Sequence, residues 1–101
     1  MELLNKDNFK SSISNGVVVV DFFAEWCGPC KQLAPYLTKK EEELPWVKFF
    51  KVDTEENDIL TSLYQIRSLP TVVIFKNGIE QERVVGFSST VIENSIRKVL
   101  A

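Results

Sequence analysis

Two nearly continuous apolar runs, Val17 to Phe23 and Thr71 to Phe75, are rich in β-branched and aromatic residues and predict strands buried on both faces of a sheet. Val47 to Val52 reads as a third strand of the same kind, and Leu3-Leu4 as a short edge strand. Asn77-Gly78, between Phe75 and the stretch Gln81 to Val85, is a two-residue hairpin signal, so the sheet should be mixed, with an antiparallel pair late in the chain. Helical periodicity fits Lys6 to Ser14, Gly28 to Glu43, Asp58 to Tyr64 and Thr90 to Leu100, with Ile92, Ile96, Val99 and Leu100 on one stripe of the last. Ser89 or Thr90 is expected to cap that helix. Pro35 should kink the second helix, because it removes a backbone donor and its ring crowds the preceding turn. The order is βαβαβαββα, an α/β layer structure with a central mixed five-stranded sheet flanked by four helices.

Length and composition narrow the class. The 101 residues predict one domain, residues 1–101, and 45% hydrophobic with 26% charged residues is globular usage. The formal charge of −2 is scattered, which leaves no footprint for nucleic acid or an anionic membrane surface. The start, Met1-Glu2-Leu3-Leu4-Asn5-Lys6-Asp7, has no apolar leader, and a cytoplasmic protein is expected. Partners should be ordinary protein surfaces, with the chain itself a monomer.

The two cysteines sit in Cys27-Gly28-Pro29-Cys30, directly after one predicted strand and at the start of the long helix. The first turn of a helix offers unpaired N–H groups and the positive end of the macrodipole, both of which favour a thiolate. Pro29 suits that turn, where its missing N–H costs nothing. Cys30 shares a face with Cys27, so the two can close a disulfide. A thiol at the exposed helix start is suited to attack and one a turn inside to resolve, which makes Cys27 the nucleophile and Cys30 the resolving thiol. A purely structural disulfide closing so small a loop stabilises little on the loop-entropy account. A structural zinc site needs four ligands, and two cysteines with no histidine supply half of one unless a dimer shares the metal. The missing histidine also excludes a Cys–His hydrolase.

The segment Ala24-Glu25-Trp26-Cys27-Gly28-Pro29-Cys30-Lys31 resembles the active-site segment of the thioredoxin family. Val18 to Phe22 is similar to the family's central strand and Ala34-Pro35 to its helix kink. Tyr64-Gln65-Ile66-Arg67-Ser68-Leu69-Pro70-Thr71 resembles the segment carrying its cis-proline, Phe75-Lys76-Asn77-Gly78 its hairpin, and Val85-Gly86 the glycine facing the active site. These cover nearly all of the chain from Val17 to Leu100, and their order and spacing are far more specific than a lone CxxC. The resemblance implies the thioredoxin fold and reduction of protein disulfides by thiol–disulfide exchange. It also implies no bound cofactor: the oxidised chain is recharged by a thioredoxin reductase using NADPH, or by a ferredoxin-linked reductase.

Asp21 interrupts the first apolar strand, and burial without a partner raises a carboxyl's pKa. The resemblance implies that Asp21 lies beneath the cysteines and accepts the Cys30 proton, while a position facing solvent at the strand end is the alternative. Lys51 matches a lysine that neighbours the buried aspartate in the family; a side chain that snorkels from the strand end to water is the other reading. Pro70 starts a strand, where a missing donor is tolerable. The resemblance implies a cis Leu69-Pro70 bond beside the cysteines, with substrate pairing as a short added strand on the preceding backbone. Trp26, Gly28, Pro29, Leu69, Gly86 and Phe87 would then rim a shallow apolar docking surface, although half-buried packing suits Trp26 equally well. Phe23, Asp58 and Leu44-Pro45-Trp46 depart from the commonest family pattern without touching the cysteines.

Three functions compete on this reading. A dithiol reductase needs both cysteines, whereas a binding module keeps its effect when either becomes serine. An oxidase or isomerase of an oxidising compartment more often carries a histidine between the cysteines, where Gly28-Pro29 stand here. A redox titration separates it from the reductase.

Overall fold

The computed structural model describes all 101 residues. The apolar run Val17–Phe23 forms β2, the middle strand of a five-stranded sheet, with its inner positions buried. On one side it pairs in parallel with β3 (Lys48–Asp53), which pairs in parallel with the two-residue edge strand β1 (Glu2–Leu3). On the other side it pairs antiparallel with β4 (Thr71–Lys76), which pairs antiparallel with β5 (Ile79–Val85), giving the order β1-β3-β2-β4-β5. The helices are α1 (Phe9–Ile13), α2 (Gly28–Glu43), α3 (Asp58–Leu63) and α4 (Ser89–Leu100). This is the βαβαβαββα mixed sheet with four helices read from the sequence, and no helix is long and apolar enough to cross a membrane.

Alternation along β2 divides the core into two layers. Val19 joins Leu33 and Leu37 of α2 with Ile92, Ile96 and Val99 of α4. Val18, Val20 and Phe22 point the other way, onto Phe9 and Ile13 of α1 and Leu60 of α3. On that second face Phe9, Phe22, Tyr64 and Phe75 form an aromatic cluster with ring centroids 5.0 to 6.2 Å apart. β4 is buried at its first five positions because it is sandwiched on both faces, while β5 is an edge with Val84 its buried residue.

Local chemistry moved several element ends. The first helix starts at Phe9 instead of Lys6, because the Asn5 side chain accepts the N–H of Asp7 (2.9 Å) and Asn8 (3.2 Å), and Asn8 accepts that of Asn5 (2.8 Å). Those side chains offer the backbone a turn in competition with the helix. The last helix is capped by Ser88, whose hydroxyl accepts from the Val91 N–H at 3.3 Å, so neither Ser89 nor Thr90 is the cap. β3 lies one residue later than expected, and β5 begins at Ile79. α2 continues through Pro35 as one helix. At the hairpin, Asn77 (φ +52°) and Gly78 (φ +85°) both take the left-handed conformation that a tight two-residue turn requires. The Asn77 side chain also accepts from the Gly16 N–H at 2.8 Å, tying the hairpin tip to the start of β2.

Candidate active site

β2 leads straight into the cysteine pair. Its last carbonyl, that of Phe23, accepts both the backbone N–H (2.9 Å) and the hydroxyl (3.0 Å) of the buried Thr54, which fixes the strand end. The Ala24 carbonyl then accepts the Cys27 N–H at 3.1 Å in the turn that opens α2. Cys27 is the N-cap in extended conformation (φ −84°, ψ +115°), and its sulfur accepts from the Cys30 N–H at 3.2 Å. The sulfur therefore occupies the acceptor position that an oxygen fills at most helix starts, where negative charge is stabilised. Pro29 stands in the first turn, and Cys27 and Cys30 are joined as a disulfide with Cα atoms 5.3 Å apart.

The difference in exposure expected between the two cysteines is absent: each is 4% exposed, packed with Ala24, Phe23 and Leu69. Position separates them instead. Cys27 caps the helix, whereas Cys30 lines a cavity of about 430 Å³ together with Asp21, Ala24, Ala34, Lys31 and Lys51. Cys27 does not line it.

Asp21 lies on the α2 side of β2, as alternation from Val19 requires. It is 2% exposed, which excludes the solvent-facing alternative, and its Oδ1 has no hydrogen-bond partner. Burial raises its pKa from the ordinary 3.8 to about 7, opposed in part by the Lys51 charge. Lys51 is the cross-strand partner of Asp21 in the parallel β2–β3 pairing, and its Nζ lies 5.7 Å from the centre of the Phe23 ring. The lysine is thus beside the aspartate, half-buried at the cavity wall.

Around the disulfide, Trp26, Gly28 and Pro29 are exposed, and Leu69 is half-buried against the cysteines. Trp26 is 68% exposed, so half-buried packing does not describe it. The Leu69-Pro70 peptide bond is cis, and the buried Pro70 carbonyl accepts the Gly86 N–H at 2.8 Å, which brings Gly86 (φ +84°) beside the proline. Phe87 is half-buried, packed on the α2/α4 core layer with its ring 6.0 Å from that of Tyr36. Sequence reasoning missed Glu55, whose Oε1 accepts the Trp26 indole N–H at 2.7 Å from 29 residues away. It also missed Thr54, and nothing in the local pattern of either residue signals its partner.

Two sulfurs that can close a ring, one of them at a helix start that stabilises its thiolate, cycle between dithiol and disulfide, and the class so defined is the thiol–disulfide oxidoreductases. Comparison with known proteins narrows this class. The Thioredoxin family model matches residues 1–98. A thioredoxin of Chlamydia pneumoniae is 45% identical over 86 residues, covering 85% of this chain and 84% of that one. Thioredoxin-1 of Saccharomyces cerevisiae is 40% identical over 89 residues, covering 87% and 86%. Among solved structures, Plasmodium falciparum thioredoxin superposes with a TM-score of 0.92 at 36% identity, covering 97% of this chain and 98% of that one. The chain belongs to the thioredoxin family.

Proposed function

We propose that this chain is a protein disulfide reductase in which Cys27 attacks, Cys30 resolves and Asp21 takes up the Cys30 proton. The observation that carries the assignment is the cavity lined by Cys30 and Asp21 but not by Cys27. In the first step the Cys27 thiolate attacks one sulfur of the substrate disulfide, that S–S bond breaks, and the departing substrate sulfur takes a proton from water. In the second, Cys30 loses its proton towards the Asp21 carboxylate, either directly or through water in the cavity, and its sulfur attacks Cys27. The mixed disulfide breaks, the second substrate sulfur leaves, and the Cys27–Cys30 disulfide holds the two electrons' worth of oxidation. A group titrating near 7 suits this step, because it can accept a proton at neutral pH and return it when the disulfide is reduced again. Lys51 supports the charged form of Asp21.

The docking surface is assigned to Trp26, Gly28, Pro29, Leu69, Pro70, Gly86 and the half-buried Phe87. Members of the family act on disulfide substrates and are reduced by thioredoxin reductase. For this chain the reading is a monomer in the cytoplasm, with no bound cofactor, recycled by such a reductase at the expense of NADPH. Turnover of insulin disulfides with NADPH and a thioredoxin reductase tests the assignment. The wild type should turn over continuously and the Cys27→Ser variant not at all. Equal turnover by that variant, or none by the wild type with several reductases and with dithiothreitol, refutes it.

A further inference from the structure

Trp26 precedes the cap cysteine and leaves 68% of its surface exposed, yet its indole N–H is engaged by Glu55 Oε1 at 2.7 Å. The backbone that carries this acceptor is fixed. The Glu55 N–H donates to Asp53 Oδ1 at 3.0 Å, and the preceding Thr54 is bound twice to the Phe23 carbonyl. The indole is therefore held in place through its edge while its surface stays open, with a carboxylate at that edge. Trp rings attract cations over their faces, and an adjacent carboxylate adds to that attraction.

We propose that Trp26 and Glu55 form a substrate subsite for a cationic side chain, an arginine or lysine flanking the disulfide cysteine of the protein being reduced. The assignment rests on the reductase reading, which places the substrate against Cys27, the neighbour of Trp26. The cation lies over the indole with its charge towards Glu55, whose remaining lone pairs are free to accept from a guanidinium or ammonium. Lys31 lies apart from this pair in function, because it lines the cavity at Asp21. Glu25 lines that same cavity, so Glu55 is the one carboxylate assigned to the subsite.

The test uses three disulfide peptides that differ only in the residue next to the cysteine: arginine, alanine or glutamate. At low salt, kcat/KM should favour arginine over glutamate by about three- to tenfold, as expected for an exposed cation–π contact combined with an exposed ion pair. The ratio should fall towards one in Glu55→Gln, where the amide oxygen still accepts from the indole but the charge is gone, and also at high salt. An arginine-to-glutamate ratio equal in wild type and Glu55→Gln overturns the proposal. Turnover of the alanine peptide reports the reductase reading separately. A second readout needs no turnover: the Trp26 indole N–H resonance, assigned with Trp26→Phe, should shift when the wild type is titrated with an arginine peptide bearing serine for cysteine. It should not shift with the glutamate peptide, and equal shifts overturn the proposal as well.

Discussion

Replacing Asp21 by Asn removes a buried charge while keeping the shape of the side chain, and the effect on stability should depend steeply on pH. The folded-state pKa of about 7 lies above the ordinary 3.8, so between these values the unfolded chain has released a proton that the folded chain retains. Wild-type stability therefore falls as pH rises through this window, and the loss is complete above about pH 7. Each pH unit is worth about 1.4 kcal/mol, so a window of roughly three units amounts to about 4 kcal/mol. The variant carries no such penalty. At pH 4 the two proteins should be close in stability, and at pH 9 the variant should be the more stable by about 4 kcal/mol. Urea unfolding of both oxidised proteins across this range measures the difference; with ordinary slopes it shifts the midpoint by at least about 1 M. The same substitution should slow resolution of the mixed disulfide. A stability difference that stays flat from pH 4 to pH 9 refutes the claim that the carboxyl is neutral when the protein folds.

Three further outcomes follow from the geometry. Cys30→Ser should accumulate a mixed disulfide through Cys27 with a disulfide substrate, visible by mass spectrometry, because attack remains and resolution is lost. Leu33→Ala, at a fully buried contact between α2 and the sheet, should cost about 2–5 kcal/mol in denaturant unfolding. Ser88→Ala removes the side-chain acceptor at the start of α4 and should cost about 1 kcal/mol, whereas alanine at Ser89 should have little effect, which separates the observed cap from the expected one.

The sheet was legible because β2 and β4 are covered on both faces and must be apolar along their length, which leaves runs such as Val17–Phe23 that no surface helix would carry. Asp21 was legible for the same reason, as the one charge inside such a run. What the sequence concealed depends on contacts that have no period. The side chains of Asn5 and Asn8 turned three positions of an apparent helix into a turn, and the Ser88 hydroxyl took the cap that Ser89 or Thr90 was expected to provide. The burial of Cys27 comes from Leu69 and Phe23 closing around it, so the exposure of a helix start was a poor guide. The link between Trp26 and Glu55 joins the loops that leave the C-terminal ends of the parallel strands β2 and β3, 29 residues apart in the chain, and a Glu in a run of acidic residues gives no sign of an indole partner.

The sheet order also has a consequence for timing. Asp21 is flanked by Lys51 on one side and by Val72 on the other, so its strand stays open until the chain has been made and folded as far as β4. Contacts that join such distant segments form late and slowly compared with those of a helix. During synthesis the carboxyl is an ordinary surface acid beside two cysteines. The acid that titrates near neutrality is thus a product of the completed sheet, and a chain interrupted before Val72 carries the motif without the strand that covers Asp21.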